Sequence, residues 1–179
     1  MALKITLDFS DKDLEYFQQL ADGAFKASQK QSADEILTNA RALLGKMKTS
    51  DGSEYIQARI GQLKILIDML EDAGWGMQKV GQGRVLAALS YFNNPQDIIP
   101  DDVPVLGYLD DAIMIELLTR ELKPEVDAYQ DFVNYRSAEA KRRGLDPDKV
   151  DRADFLEARE QALLARMRRR RRAGGSLFG

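Results

Sequence analysis

The chain has 179 residues, with 26 basic and 29 acidic side chains and a formal net charge of −3. It contains no cysteine and no histidine, which excludes a disulfide framework, a thiol nucleophile, a Ser-His-Asp triad and a histidine-ligated metal or haem. A chain of this length with 44% hydrophobic residues can bury a sizeable core without such staples. The composition therefore predicts a soluble globular protein.

The charge is divided unevenly along the chain. Six arginines and no acidic residue follow Ala165, whereas residues 1–165 hold 20 basic and 29 acidic residues. An acidic body with a basic end is typical of a segment that meets an anionic partner or folds back on its own body. The longest uncharged stretch, residues 85–96, is too short for a transmembrane segment, and the N-terminus lacks the apolar run of a signal peptide. We therefore expect a cytoplasmic protein.

Helix signals in the first half of the chain predict an all-α fold. Ser-x-x-acid capping pairs begin at Ser10 and Ser32 and open the first two helices. A third helix over residues 55–70 is apolar around much of its circumference, so we expect it to be central. A glycine-rich loop around Trp75 then leads to a short helix over residues 84–92. Trp75 either covers the core, which we favour, or faces a partner.

The second half of the chain carries all five prolines. Two helices are expected over residues 106–123 and 124–143, and Pro124 suits the first turn of the second one. After a break, Asp151 can cap a last helix that runs towards the arginines. We predict a compact bundle of about six or seven helices, with one domain over residues 1–150 and a C-terminal helix and basic tail over residues 151–179.

The most specific pattern lies in residues 91–112, between an aromatic helix end and an acidic helix start. It reads Pro-x-Asp-x-Ile-Pro-Asp, a further proline, and then Gly-x-x-Asp-Asp. This segment closely resembles the signature of the YkvA-like family, a bacterial family of unknown function. The resemblance implies a helical fold, and it implies no known activity, cofactor or substrate. The matching positions are Pro95, Asp97, Ile99, Pro100, Asp101, Pro104, Gly107, Asp110 and Asp111.

A structural role for this segment is the interpretation we favour. Pro100 and Pro104 fix φ and disfavour helix at the residues before them, which predicts a proline-braced helix–loop–helix. Gly107 permits a positive φ or a close approach of helices. Asp110 sits among apolar residues, so a buried carboxylate there must find a hydrogen-bond partner, such as a tyrosine or an arginine.

The same segment also allows a divalent-cation site. Mg²⁺ and Ca²⁺ take oxygen ligands, and hydrolytic activity at a bound metal would follow from such a site. The spacing matches neither a calcium-binding EF-hand loop nor paired Asp-Asp-x-x-Asp helices, so we expect no cofactor. Five carboxylates fall within fifteen residues: Asp97, Asp101, Asp102, Asp110 and Asp111.

The arginines at the C-terminal end are the other strong signal. Arginine recognises phosphate through two parallel hydrogen bonds, and no aromatic residue interleaves with the run to stack on bases. The alternative is a helix end that benefits from cations near its C-terminus, or a solvated run of charge. Lys141, Arg142 and Arg143 form a second basic cluster. The residues of the main run are Arg166, Arg168, Arg169, Arg170, Arg171 and Arg172.

Three functional hypotheses follow. The first is a non-enzymatic interaction or regulatory module whose arginines contact an anionic partner, such as nucleic acid, a ribonucleoprotein or an acidic protein surface. The second is a peripheral protein of an anionic membrane surface, which would use the arginines and the moderate apolar stripe before them. The third is the carboxylate metal site with hydrolytic activity. The identity of any protein partner is not encoded in these patterns.

Overall fold

A computed structural model of the chain describes residues 6, 8–28, 31–49, 53–93, 99, 103 and 106–173. Within these residues the chain forms seven α-helices, two short 3-10 turns and no strand, which confirms the predicted all-α fold. The 3-10 turns are Ser90–Asn93 and Pro147–Lys149. The helices are α1 (Asp11–Ser28), α2 (Ala33–Thr49), α3 (Glu54–Glu71), α4 (Lys79–Leu89), α5 (Leu109–Glu121), α6 (Lys123–Arg143) and α7 (Arg152–Ala173).

The chain divides into two units whose residues are not consecutive. Unit 1 comprises Met1–Glu71 and Gln78–Val126, and unit 2 comprises Asp72–Met77 and Asp127–Gly179. Unit 1 therefore contains α1 to α5. Unit 2 contains the loop that follows α3, most of α6 and all of α7.

The first two helices of unit 1 begin where their capping pairs predict. The Ser10 backbone N–H donates to the Asp13 carboxylate at 2.8 Å, and the Ser32 N–H donates to the Glu35 carboxylate at 2.7 Å. In return, the Glu35 N–H donates to the Ser32 hydroxyl at 3.2 Å. Each pair satisfies backbone donors that a helix start leaves without an intrahelical partner.

Helix α3 is the centre of unit 1, as its apolar circumference predicts. It packs against α2, α4 and α5. Its Leu63, Leu66 and Met69 are fully buried. A helix that is apolar on several sides must be covered on several sides, and α2, α4 and α5 cover α3 here.

An ion pair in unit 1 joins α3 to α5. The Arg59 guanidinium lies 2.8 Å from the Glu116 carboxylate, and both side chains are largely buried. Arg120 donates to the other Glu116 oxygen at 2.6 Å. Burial raises the pKa of Glu116, but the Arg120 hydrogen bond and the charges of Arg59 and Arg120 outweigh it, so the pKa lies below its ordinary value.

Helix α4 starts earlier than its sequence predicts. The expected helix began at Arg84, with Gly81 and Gly83 in a flexible loop, but α4 begins at Lys79 and includes both glycines. Glycine disfavours a helix interior by about 1 kcal/mol relative to alanine. Burial of Val85 and Leu89 provides the packing that overrides this local preference. The loop between α3 and α4 is correspondingly shorter.

Asp72 organises unit 2 because it accepts hydrogen bonds from three directions. Arg136 of α6 approaches it with two nitrogens, at 2.9 and 2.8 Å. The Tyr129 hydroxyl donates at 3.1 Å, and the Trp75 backbone N–H donates at 3.1 Å. Burial raises the pKa of Asp72, but these hydrogen bonds and the Arg136 charge outweigh it, so the pKa lies below its ordinary value of 3.8.

The loop that follows Asp72 fits closely against this cluster. A Cβ on Gly74 would lie 3.2 Å from the Asp72 carboxylate and 3.3 Å from the Arg136 guanidinium, so the site favours glycine. Trp75 is 4% exposed, which confirms that it covers a core rather than facing a partner. Its ring lies 5.7 Å from that of Tyr129 and 5.2 Å from that of Phe132.

Removing the Asp72 carboxylate should destabilise the protein strongly. Asp72→Ala leaves Arg136 largely buried without its ion-pair partner, and we expect a loss of about 2–4 kcal/mol in the free energy of unfolding. Asp131→Ala is the matched control, because it removes a carboxylate from the exposed pair with Arg159. That control should cost less than about 1 kcal/mol. Denaturant unfolding measures both values, and equal losses would contradict the role assigned to Asp72.

The Asp72 pKa also predicts how stability depends on pH. Because this pKa is lowered in the folded state, the carboxylate contributes stability above its unfolded value, and the contribution is lost as the pH falls through the lower folded value. The free energy of unfolding should therefore fall below about pH 4. In Asp72→Asn the fall should be shallower. If the free energy of unfolding fell equally with pH in wild type and in Asp72→Asn, the cluster would not favour the ionised form of Asp72.

Candidate functional site

Helix α7, which carries the arginines, starts on the loop that Asp72 holds. The Arg152 backbone N–H donates to the Gly74 carbonyl at 2.9 Å, and its guanidinium donates to the Gly76 carbonyl at 3.3 Å. The same guanidinium lies 4.4 Å from the centre of the Trp75 ring. Asp151 caps the helix as predicted, since its carboxylate accepts from the Ala153 N–H at 2.8 Å.

The first turns of α7 pack on α6 within unit 2. Phe155 is buried, with its ring 5.9 Å from that of Phe132 and 5.5 Å from that of Tyr135. One turn later, Arg159 pairs with Asp131 at 2.9 Å. These contacts orient the helix through its N-terminal half.

The C-terminal half of α7 is different, because every side chain over residues 161–169 is exposed. Arg166, Arg168 and Arg169 are among them. The helical backbone continues to Ala173, while the side chains of residues 170–173 and all of residues 174–179 lie outside the described part of the chain. The arginine run, which includes Arg170, Arg171 and Arg172, is therefore part of a helix. We call residues 161–173 the basic arm.

The arginines of the basic arm differ from the second basic cluster at the end of α6. Arg142 and Arg143 both donate to Glu139, which holds the pKa of that carboxyl at about 2. Arg143 also pairs with Asp154. Among the residues that the structure describes, the ion pairs do not involve Arg166, Arg168 or Arg169. Their charge is thus presented to solvent.

An apolar stripe runs along the solvent side of α7. Its four apolar side chains are between 42% and 53% exposed. At about 100° of rotation per residue they fall within an arc of about 100°. They are Leu156, Leu163, Leu164 and Met167.

The signature segment, residues 91–112, is only partly described. Asp110 lies in the first turn of α5 and is 4% exposed, as its apolar neighbours in the sequence predict. Its carboxylate accepts from the Ile99 backbone N–H at 3.2 Å. Asp110 therefore ties Ile99, within the segment that precedes α5, to the first turn of that helix. Pro95, Asp97, Pro100, Asp101, Asp102 and Pro104 lie outside the described residues.

The turn into α5 takes its unusual backbone conformation at Tyr108. This residue has φ of 64° and is the N-cap of the helix, whereas the sequence offers glycine one position earlier. Gly107 is buried, and its N–H donates to the Val103 carbonyl at 2.8 Å. A left-handed conformation at a non-glycine residue costs roughly 1–2 kcal/mol. Burial of the Tyr108 ring helps to hold the turn.

The metal site stays a prediction. Of the five carboxylates proposed for it, Asp110 and Asp111 are described, and Asp111 follows Asp110 in the first turn of α5. Within the described ranges, the structure gathers no three acidic side chains in a geometry that could hold a metal ion. Among all the residues that the structure describes, no helix has the length and apolar character needed to cross a membrane.

Part of the chain is similar to a known family. Residues 83–117 match a family described as a protein of unknown function, DUF1232. The match covers most of α4, the signature segment and much of α5. No curated protein and no solved structure matches the chain. The matched residues and the basic arm lie in different parts of the chain.

Sequence reasoning missed the contacts that position α7. The sequence places Gly74 only in the loop around Trp75 and gives no signal for Asp72 or Arg152, although these three residues support the start of α7. A glycine next to the tryptophan, as at Gly74, is only a weak local signal that other groups lie close to the backbone there. The pairing of Asp72 with a residue 64 positions later has no local signal at all.

Asp110→Ala tests the structural role of the signature segment. The substitution leaves the part-buried Ile99 N–H without its acceptor and should cost about 1–3 kcal/mol in the free energy of unfolding. Glu121→Ala, at the exposed far end of α5, is the matched control and should change stability by less than about 0.5 kcal/mol. If Asp110→Ala unfolds at the same denaturant concentration as wild type, the carboxylate does not brace the segment.

Proposed function

We propose that this protein is a non-enzymatic, cytoplasmic interaction or regulatory module that contacts an anionic partner through the basic arm. The observation that carries the proposal is the exposure of Arg166, Arg168 and Arg169 on a continuous helix. A helix held firmly at one end and charged at the other can present arginines to a partner without rearranging the rest of unit 2.

Nucleic acid, free or in a ribonucleoprotein, is the partner class we favour. Arginine pairs with phosphate oxygens through its planar guanidinium, and closely spaced arginines can follow a phosphate backbone. The arm contains no aromatic residue over 161–173, so the contact would not rely on base stacking. Binding should therefore be largely independent of base sequence and sensitive to salt.

We also propose that the signature segment is YkvA-like. The DUF1232 match over residues 83–117 includes residues 91–112, which is the segment that resembles the YkvA-like signature. The match itself carries no function. On this proposal the segment has a structural role, supported by the burial of Asp110 and its bond to Ile99, and the partner contact belongs to α7.

Neutralising the arm should weaken binding to single-stranded RNA. We expect the triple variant Arg166→Gln/Arg168→Gln/Arg169→Gln to lose about tenfold or more in affinity at physiological salt. The slope of log affinity against log salt should shrink by about 0.7 for each phosphate that the variant no longer neutralises. Fluorescence anisotropy with a labelled oligonucleotide, repeated with duplex DNA, measures both quantities.

A charge-matched variant distinguishes RNA binding by the basic arm from a general effect of the protein's net charge. Lys12→Gln/Lys48→Gln/Lys79→Gln removes three exposed cations from other helices and changes the net charge by the same amount. It should bind RNA within about twofold of wild type at physiological salt, where charges more than about 8 Å apart are screened. Equal losses in the two triple variants would contradict the proposal, as would wild-type binding by the arginine variant.

A further inference from the structure

The basic arm extends past the part of α6 that supports α7 in unit 2. The two helices run antiparallel, because residues further along α7 contact residues further back on α6. Arg159 pairs with Asp131, and Asp127 is the first α6 residue of unit 2. With the same rise of 1.5 Å per residue in both helices, Asp127 lies level with about residue 163 of α7. The arginines that follow therefore lie beyond the supporting part of α6.

The described arginines of the arm lie on two flanks of one side of the helix. At about 100° per residue, Arg166 and Arg168 are about 160° apart around the axis and only about 3 Å apart along it. Arg169 lies between them in angle, and residues 161–173 contain no acidic side chain. Two cations at nearly the same level on opposite flanks fit a partner that has a negative wall on each side.

The exposed apolar stripe lies on the other side of α7, away from these arginines. The middle of its arc is about 170° from the middle of the arginine arc, so the stripe does not come between the arginines and a partner. Glu160 is exposed and lies within the apolar arc in angle. A lipid surface that took up the stripe would have to bury this carboxylate or force it to protonate, which disfavours insertion.

We propose that the basic arm enters the major groove of double-stranded DNA, with Arg166 on the phosphates of one strand and Arg168 on those of the other. This inference rests on the proposed function and names the partner within it. The major groove of B-form DNA is roughly 12 Å wide, and an α-helix with its side chains is about 10–12 Å across. A helix therefore fills the groove, and its two flanks meet the two phosphate walls.

Other nucleic acids do not offer two such walls to a helix. The major groove of A-form RNA is deep and narrow, and its wide minor groove is shallow. A single strand presents one line of phosphates, so it can follow one flank of the arm but not both. Duplex DNA should therefore be the preferred form.

The arm is already helical in the free protein. Its backbone continues as a helix to Ala173, and the first half of α7 is packed on α6 through Phe155. Entry into the groove therefore does not have to order this segment first, which would cost affinity. Each arginine that reaches a wall can donate two parallel hydrogen bonds to phosphate oxygens.

Fluorescence anisotropy with the full chain tests the preference. The probes are a DNA duplex of about two helical turns, the RNA duplex of the same sequence and one of the DNA strands alone. At physiological salt the DNA duplex should bind at least about tenfold more tightly than either other probe, because only the duplex engages both flanks.

Single substitutions test the two flanks separately. Arg166→Gln and Arg168→Gln should each lower the slope of log affinity against log salt by about 0.9 on the DNA duplex, because each removes one phosphate contact. Lys12→Gln is the matched control, because it removes one exposed cation from α1. The control should keep the wild-type slope. Circular dichroism checks that all three variants keep their helices.

Obstructing one groove at a time identifies the groove. Duplex DNA that carries glucosylated 5-hydroxymethylcytosine has bulky groups in the major groove, and it should bind at least about tenfold more weakly than unmodified DNA. Netropsin, which occupies the minor groove, should leave the affinity within about twofold.

Three results would overturn the inference. The first is equal affinity for the three probes. The second is a wild-type salt slope in either flank variant. The third is displacement of the protein by netropsin while glucosylated DNA binds like unmodified DNA. If any of these occurs while the triple arginine variant still loses affinity for nucleic acid, the groove is rejected and the proposed function stands.

Two further results would reject the proposed function as well. One is the absence of binding to all three probes. The other is binding of the arginines to anionic phospholipid vesicles without binding to duplex DNA, which would assign the arm to a membrane surface.

Discussion

The position of the functional helix depends on one carboxylate, that of Asp72. It draws Arg136, Tyr129 and the Trp75 N–H together, and so holds the loop between α3 and α4 against α6. The carbonyl of Gly74 in that loop accepts the hydrogen bond from the first residue of α7. If the Asp72 cluster were removed, α7 would lose the backbone support at its start, although the aromatic packing of its first turns would remain.

The consequence for function is a helix with two differently constrained halves. Phe155 packs the first half on the aromatic side chains of α6, and the exposed Arg159–Asp131 pair lies one turn further on, while the basic arm projects exposed cations. This arrangement contrasts with the signature segment, where the most recognisable sequence pattern coincides with a buried, bonded carboxylate. The part of the chain that resembles a family and the part that we propose to bind a partner are therefore separate. A partner can thus engage α7 while the signature segment keeps its structural role.

Local signals predicted the elements well, and long-range contacts account for what they missed. The caps at Ser10, Ser32 and Asp151 are short-range hydrogen bonds, so their spacing alone located three helix starts. The predicted start of α4 was wrong because buried packing outweighs the helix-breaking tendency of its glycines. The left-handed conformation at Tyr108 and the Asp72 cluster depend on the folded surroundings, which no window of neighbouring residues contains. The burial of Asp110 was predictable from its apolar neighbours, but its bond to Ile99 was not.

The most direct test of the central claim is hydrogen–deuterium exchange with and without single-stranded RNA at low salt. We predict that RNA slows amide exchange in peptides from residues 161–173, because phosphate contacts stabilise the exposed helical end. Exchange in peptides from residues 106–117 should stay unchanged. Slower exchange over residues 106–117 with no change in α7 would contradict the proposed function, because it would place the partner contact on the signature segment.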